Sequence, residues 1–490
     1  MNPWARKSIE ALRRDAVSAT GADLMPRAFG TFALTCVGVG STIGAGIFVL
    51  TGTVAAQHTG PAVIVAFVLA GFACLMAGLC YAELASMIPV AGSAYSYTYA
   101  TLGEGAAWLV GWCLVLEYLF SGSMVAIGWS GYVQSALRDV GITLPDALAR
   151  APLDVTASSA MVATGGWINL PAVLVTLLCM AILLAGSKTS AGVNTTIVTL
   201  KVVAIVLVVI AGAAYVDTAH WQPFLPPNTG TSGSFGWSGV LRGSAILFYA
   251  YLGFDAVSTL GQETRNPQRT IPASLLASLA VSTALYVMVG LVVTGLVDYR
   301  ELNVPDPIYF ALERAGPQVA WAKRLVGFVA ICGLVSVLLI ALMAQIRIFY
   351  AMGRDGLLPG WFARLNAKTA VPDRTTLLTS IAAALAAGLL PLSLLGQLIS
   401  IGTLLAFAVV CAGVVVLRIT QPNAPRPFRT PLGLWTAGAG VLSCTWLMLS
   451  LPLGTWVRLL SWLLIGGLIY LLYGSRHSAL RLAASSSDTR

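Results

Sequence analysis

Charge is what this chain has least of. Lysine, arginine, aspartate and glutamate together make up 10% of its 490 residues, and histidine occurs only at positions 58, 220 and 477. An ordinary soluble domain is about one quarter charged, so little of this chain is built to face water. Three dispersed histidines give no zinc or haem framework. The eight cysteines, at 36, 74, 80, 113, 179, 332, 411 and 444, all fall inside apolar runs, where they serve as small apolar side chains. No disulfide, metal site or cofactor is expected, and no enzyme. The net charge of +9 comes without any basic run interleaved with aromatics, so nucleic acid is not an expected partner.

What the chain has instead is apolar length. Hydrophobic residues make up 57% of it and mean hydropathy is +0.84, the composition of a polytopic membrane protein whose main partner is the lipid bilayer. Twelve apolar runs stand out, near residues 32–56, 61–87, 105–136, 168–186, 193–216, 237–260, 273–297, 322–352, 374–394, 396–418, 431–451 and 454–474. The longest polar stretches, 1–31 and 138–166, are too short for a soluble domain. The first run is long enough to span, so the polar stretch before it is read as retained and not as a cleaved signal. Within it, residues 8–14 are either a short amphipathic helix on anionic headgroups or a frayed tail.

Arginine and lysine concentrate on one side: Arg6, Lys7, Arg13, Arg14, Arg27, Lys188, Arg265, Arg269, Arg354, Arg364, Lys368, Arg374, Arg418, Arg426, Arg429 and the tail, against Arg138, Arg150, Arg300 and Arg314 on the other, with Lys323, Arg324 and Arg458 at helix starts there. By the positive-inside rule both termini are cytoplasmic and the protein is a multi-pass component of the cell membrane. The sequon Asn194-Thr195-Thr196 then lies on the inner side and is read as chance.

Inside the first run, Gly38-Val39-Gly40-Ser41-Thr42-Ile43-Gly44-Ala45-Gly46 carries four glycines in nine residues. Glycine is the poorest helix former after proline, so the spacing predicts an unwound stretch at membrane depth, where free amides persist only against a cavity or a ligand. The sixth run holds a second candidate break, Phe248-Tyr249-Ala250-Tyr251-Leu252-Gly253-Phe254-Asp255. Breaks in runs one and six, five helices apart, match the inverted repeats of secondary transporters. The half-helix end at Gly44-Ala45-Gly46 offers amides and a positive dipole end to a carboxylate. Carbonyls released at Tyr249, Ala250 and Leu252 accept from an ammonium group, so a zwitterionic L-amino acid suits both poles. The candidate substrate site is Thr42, Ile43, Gly44, Ala45, Gly46, Tyr249, Ala250 and Leu252, with Asp255 as a brace whose carboxylate caps the freed amides of the following half-helix. Either break alone reads equally as close helix packing; the pair favours a site.

Ionisable residues within spans are costly and usually kept for function. Lys201 lies deep in its run; desolvation disfavours the charged form of an amine, which suits it to proton loading and release, the other reading being a snorkelling or ion-paired lysine. Glu117 either faces the cavity to attract a cation or proton, or holds helices together. Glu83, Arg242 and Arg347 sit near span ends and are read as gate or interface groups.

Gly40-Ser41-Thr42-Ile43-Gly44-Ala45-Gly46-Ile47-Phe48, Gly253-Phe254-Asp255-Ala256-Val257-Ser258-Thr259 and Asn266-Pro267-Gln268-Arg269 resemble motifs of the amino acid-polyamine-organocation superfamily. Lys7-Ser8-Ile9-Glu10, Arg354-Asp355-Gly356-Leu357-Leu358-Pro359, Gly402-Thr403-Leu404-Leu405-Ala406-Phe407 and Pro425-Arg426-Pro427-Phe428-Arg429-Thr430-Pro431 are similar to its cationic amino acid transporter branch and bacterial homologues. The resemblance implies an all-α membrane protein of twelve transmembrane helices, with the leucine-transporter-type five-plus-five inverted repeat, helices one and six broken, and two added helices. It divides the chain into a cytoplasmic segment 1–31, repeats 32–216 and 237–418, two additional helices within 431–474, and a cytoplasmic tail 475–490. It implies alternating access with the proton as coupling ion, matches Lys201 to the fifth-helix lysine of proton-dependent members, and matches Glu117 to a pocket glutamate. Two departures stand out: Gln262-Glu263 where a Glu pair is common, and Ala45 where threonine is frequent. The expected function is proton-coupled uptake of L-amino acids, with a preference for cationic side chains left open. The alternatives are an amino acid or polyamine exchanger on the same scaffold, or a non-transporting sensor.

Overall fold

The computed structural model describes residues 6–7, 30–88, 93–155, 161–185, 191–255, 257, 264–366 and 371–480. The segment 8–14, Lys188, Lys368, the Gln262-Glu263 pair and residues 481–490 lie outside them. With no water to satisfy backbone groups, a chain this apolar must pair its amides internally, and it does so as helices. Among the described residues, six helical stretches are long and apolar enough to cross a membrane: Gly46–Met87, Glu104–Asp139, Pro267–Leu296, Pro317–Arg354, Leu392–Thr420 and Leu453–His477. The first of these turns a corner at Gly60 and Pro61, so it is two helices in sequence. Several other apolar runs form shorter helices. Those of runs one and six are short because the chain leaves the helix partway along each.

The helices used below are α1 (Thr31–Thr42), α2 (Val63–Met87), α3 (Ser93–Thr101), α4 (Glu104–Asp139), α5 (Leu170–Leu184), α6 (Ala191–Ala213), α7 (Gly236–Leu247), α8 (Pro267–Leu296), α9 (Pro307–Arg314), α10 (Ala320–Arg354), α11 (Asp373–Leu389), α12 (Leu392–Thr420), α13 (Leu434–Leu449) and α14 (Leu453–Ile469). A hairpin, β1 (Leu153–Val155) with β2 (Met161–Ala163), pairs antiparallel within the polar stretch 138–166. Neither this hairpin nor α3 is anticipated by the apolar runs.

Helix α4 is the central post, packed along α10 and α12, while α8 lies against α1 and α2. Leu442, Trp446, Leu464 and Leu468 on α13 and α14 are exposed, which is the lipid-facing surface of a membrane protein. The two chain ends meet at one place. Lys7 Nζ donates to Asp355 Oδ1 at 3.0 Å, and the Ala479 amide donates to the Asp355 carbonyl at 3.0 Å, so both ends lie on the same side of the bundle.

Glu83, Arg242 and Arg347 separate clearly. Glu83 is fully buried at the end of α2, where it accepts from Arg418 Nε at 3.1 Å and again from its Nη2, from Arg426 Nε at 3.2 Å and from the Thr430 amide at 2.8 Å. It is an interface group that docks the proline-rich segment after α12. Arg242 donates to the Ser450 carbonyl at 3.1 Å, tying α7 to the turn after α13, and Arg347 is exposed on α10. Removing one partner of a buried ionic cluster leaves the others uncompensated. Glu83→Ala is therefore expected to destabilise the fold by about 3–5 kcal/mol, read as a lower thermal unfolding midpoint in detergent, with Glu83→Gln intermediate.

Candidate functional site

Helix α1 ends where the glycine spacing predicts. Ile43 still donates its amide to Val39 O at 2.9 Å, but its ψ of 89° turns the chain out of the helix. Helical bonding resumes with Phe48 N–H to Gly44 O at 3.2 Å, which makes the amides of Ala45, Gly46 and Ile47 the unpaired first turn of a new half-helix. The second break follows the same logic. Helix α7 tightens into a 3₁₀ turn, Phe248–Tyr251; Leu252 then adopts ψ 143° and Gly253 adopts φ +105°. The Gly253 amide donates to Asp255 Oδ1 at 3.2 Å, an amide that precedes Asp255; the half-helix whose amides it is expected to cap lies largely outside the described residues.

The two breaks cross backbone to backbone. A Cβ on Gly46 would collide with the main chain of Ala250, and one on Gly253 would lie 2.7 Å from the Ser41 carbonyl carbon and oxygen. Ser41 Oγ lies 2.8 Å from Gly253 O across the crossing, and its one proton is shared with Val37 O at 2.8 Å and Gly38 O at 3.1 Å in its own helix. Tyr286 Oη, from α8, lies 2.8 Å from Thr42 O and 2.6 Å from Ala250 O.

The crossing encloses a cavity of about 70 Å³. Of the residues singled out from sequence, Thr42, Gly44, Ala45, Gly46, Glu117, Tyr249, Leu252 and Asp255 line it. Ile43 does not; it is buried in the packing behind. Ala250 does not either, because it backs onto Gly46 and its carbonyl accepts from Tyr286. Glu117 is 2% exposed and accepts from Thr403 Oγ1 of α12 at 2.8 Å. No lysine or arginine is among the described residues that line the cavity, which Glu117 and Asp255 both face.

Lys201 sits apart from the cavity. It is 1% exposed on α6, its stem runs over Gly333, and its Nζ donates to Ser336 Oγ of α10 at 3.1 Å, not to a carbonyl of the first break. Among the described residues it pairs with no carboxylate.

Sequence reasoning missed Ser41, Tyr118, Ser121 and Gly253 as lining groups, and the whole α10 wall of Val337, Ile340, Ala341 and Ala344. The wall has helical spacing, i, i+3, i+4 and i+7, but in an apolar span that pattern is shared by packed and lipid-facing surfaces. Ser121 lies one turn beyond Glu117 and meets Tyr249 Oη at 3.2 Å, a signal that spacing alone carries.

A larger concavity, about 770 Å³, opens at the hairpin end of the bundle. Thr53 and Gln57 line it, about 10 Å and about 16 Å farther along the half-helix whose start, at Gly46, lines the small cavity. Asp306 at its floor accepts from Ser135, which in turn accepts from Arg138. Burial pushes the Asp306 carboxyl above its ordinary range, opposed by the Ser135 hydrogen bond and by Arg138. The smaller cavity holds the helix breaks and the paired carboxylates, and it is the candidate site.

A side chain at Gly253 meets both an unfavourable φ and the Ser41 backbone. Gly253→Ala is expected to cost at least about 1–3 kcal/mol, measured as a lowered unfolding midpoint against Gly438→Ala, a position with open space around it.

Comparison with known proteins agrees with this geometry. The family model described as amino acid permease matches residues 29–475. The methylthioribose transporter of Bacillus subtilis (strain 168) is 44% identical over 479 residues, covering 97% of this chain and 99% of its own. The branched-chain amino acid permease BcaP of the same organism is 41% identical over 479 residues, covering 97% and 98%. The vacuolar cationic amino acid transporter 4 of Arabidopsis thaliana is 39% identical over 392 residues, covering 80% and 63%. A helical bundle with two crossed helix breaks, matched over nearly its whole length by the two Bacillus subtilis transporters, is a multi-pass membrane protein that belongs to the amino acid permease family.

Proposed function

We propose that the chain imports L-amino acids by proton-coupled alternating access. The observation that carries the reading is the crossing of two helix breaks around one cavity that two carboxylates face. In this reading the substrate carboxylate binds the amide end at Gly44, Ala45 and Gly46, and its ammonium group meets the second break beside Tyr249 and Leu252. The Ala250 carbonyl lies against the Tyr286 hydroxyl, whose one proton it shares with Thr42 O, and Gly253 O lies against the Ser41 hydroxyl, so the Leu252 segment is the more open acceptor edge. The α10 wall and Glu117 then read the side chain: the wall suits aliphatic groups, and Glu117 suits a cationic one. Twelve spans in the five-plus-five arrangement, with repeats 32–216 and 237–418, accommodate this site, and the arginine and lysine bias puts both termini in the cytoplasm.

Lys201 is the proposed coupling residue. A buried amine whose partner is a hydroxyl can lose its proton without stranding a carboxylate. Protonated, it tethers α6 to α10 through Ser336. Deprotonated, it releases α6, against which α1 packs at Gly40 and Val198, and the inner half of the first broken helix becomes free to swing.

A proteoliposome panel tests the reading with radiolabelled alanine, leucine, arginine, putrescine and methylthioribose, each with and without an inward proton gradient. Gradient-driven accumulation of an amino acid is expected. Uptake that requires internal substrate favours the exchanger, accumulation of methylthioribose alone refutes the amino acid assignment, and binding without uptake favours the sensor. Lys201→Ala is expected to abolish gradient-driven accumulation with folding intact; undiminished accumulation rules out its role. Glu117→Gln is expected to weaken arginine uptake about tenfold more than alanine uptake, the scale of one charge-assisted hydrogen bond. Equal losses for both substrates assign Glu117 to holding α4 against α12.

A further inference from the structure

Helix α8 presents hydroxyls at 274, 278, 282 and 286, four residues apart and all fully buried. At one end of this stripe Ser274 Oγ donates to the carbonyl of Thr31, the first residue of α1, at 3.0 Å. Ser278 lies against Gly38, where a Cβ would come within 2.8 Å of it. At the other end stands Tyr286, opposite Thr42, the last residue of α1. The stripe therefore follows α1 from its start to its break.

Tyr286 differs from the serines because it reaches past α1. Its ring is wedged between Phe67 of α2, at 5.2 Å, and Tyr251 of the second break, at 5.3 Å. Its hydroxyl touches the carbonyl that closes α1 and the carbonyl of Ala250 in the 3₁₀ turn before Leu252. In an unbroken helix, each of those carbonyls would accept from an amide four residues on. A phenol has one proton to donate, so it completes only one of these two bonds at a time, and both carbonyls stay close enough to share it only while the breaks are crossed. Any motion that parts the first break from the second forces the proton onto one of them.

We infer that Tyr286, together with Ser41, is the positioning residue of this site: its hydroxyl pins the two helix breaks in the crossed arrangement that encloses the cavity. The inference rests on the transport reading above for its kinetic consequence, but its structural consequence is independent of the substrate. Without the hydroxyl, both buried carbonyls lose the donor they share in the crossed state, whereas in a parted state only the one carbonyl it would serve does. The fraction of protein with a formed cavity falls, and apparent affinity falls with it.

The test uses Tyr286→Phe, which keeps both ring contacts and removes only the hydroxyl. Ser274→Ala is the control, since it deletes a bond from the same helix to the far end of α1. Ser41→Ala removes the other hydroxyl that spans the crossing and is read in place of Tyr286→Phe if that variant is not recovered folded. The first readout is uptake of radiolabelled leucine and arginine in proteoliposomes. Tyr286→Phe is expected to raise KM about tenfold with Vmax within about twofold, the scale of one lost hydrogen bond to a buried carbonyl, while Ser274→Ala leaves both within about twofold. The second readout is the rate at which N-ethylmaleimide labels Cys36, a free and partly buried thiol on α1, in detergent-solubilised full-length protein, with exposed Cys332 as the internal reference. Release of α1 is expected to speed Cys36 labelling several-fold in Tyr286→Phe and not in Ser274→Ala. Unchanged Cys36 labelling overturns the inference, as does an unchanged KM where the wild type transports, or an equal response in Ser274→Ala. If the wild type takes up neither amino acid, the transport reading fails and Cys36 labelling alone decides the role of Tyr286.

Discussion

Everything in this structure depends on the rule that a backbone amide or carbonyl in hydrocarbon must find its partner within the protein. Helices meet that rule automatically, and an interrupted helix does not. The two interruptions persist because neighbouring hydroxyls and a carboxylate take over: Ser41 serves Gly253 O, Tyr286 serves Thr42 O and Ala250 O, and Asp255 serves the Gly253 amide. The cavity is the space left where these substitutions end.

The same rule applied to charge explains why the few ionisable groups in the spans differ in role. Glu83 is saturated by two arginines and an amide, so it fastens helix ends together. Glu117 has a hydroxyl partner and a cavity in front of it, which leaves capacity to accept a donor from a ligand. Lys201 donates to a hydroxyl and pairs with no carboxylate among the described residues, so it holds no ion pair there. A group near a helix end and one in mid-span are told apart by their partners, which come from other parts of the chain.

Both breaks were legible because glycine in a membrane helix is a local signal, and Gly253 needs a φ that other residues rarely adopt. Eight of the ten residues proposed for the substrate site line one cavity for that reason. The α10 wall was not legible, since Val337, Ile340, Ala341 and Ala344 carry the same apolar periodicity whether they face a ligand, a neighbour or lipid. Tyr286 and Ser41 were missed as bridging groups because the carbonyls they serve belong to residues brought together from more than thirty to more than two hundred positions away. Helix α3 and the short hairpin escaped because each is too polar to register as an apolar run.

By itself, then, the sequence determined the solvent, the helical class and the places where helices fail, because composition and glycine spacing act on the chain locally. Only the tertiary structure decided that the two failures cross, that Ala250 faces Gly46 and not the cavity, and that Lys201 leans on Ser336. Those outcomes depend on which helices lie side by side, and a hydrogen bond or a steric contact exists only once two distant segments share the same few ångströms.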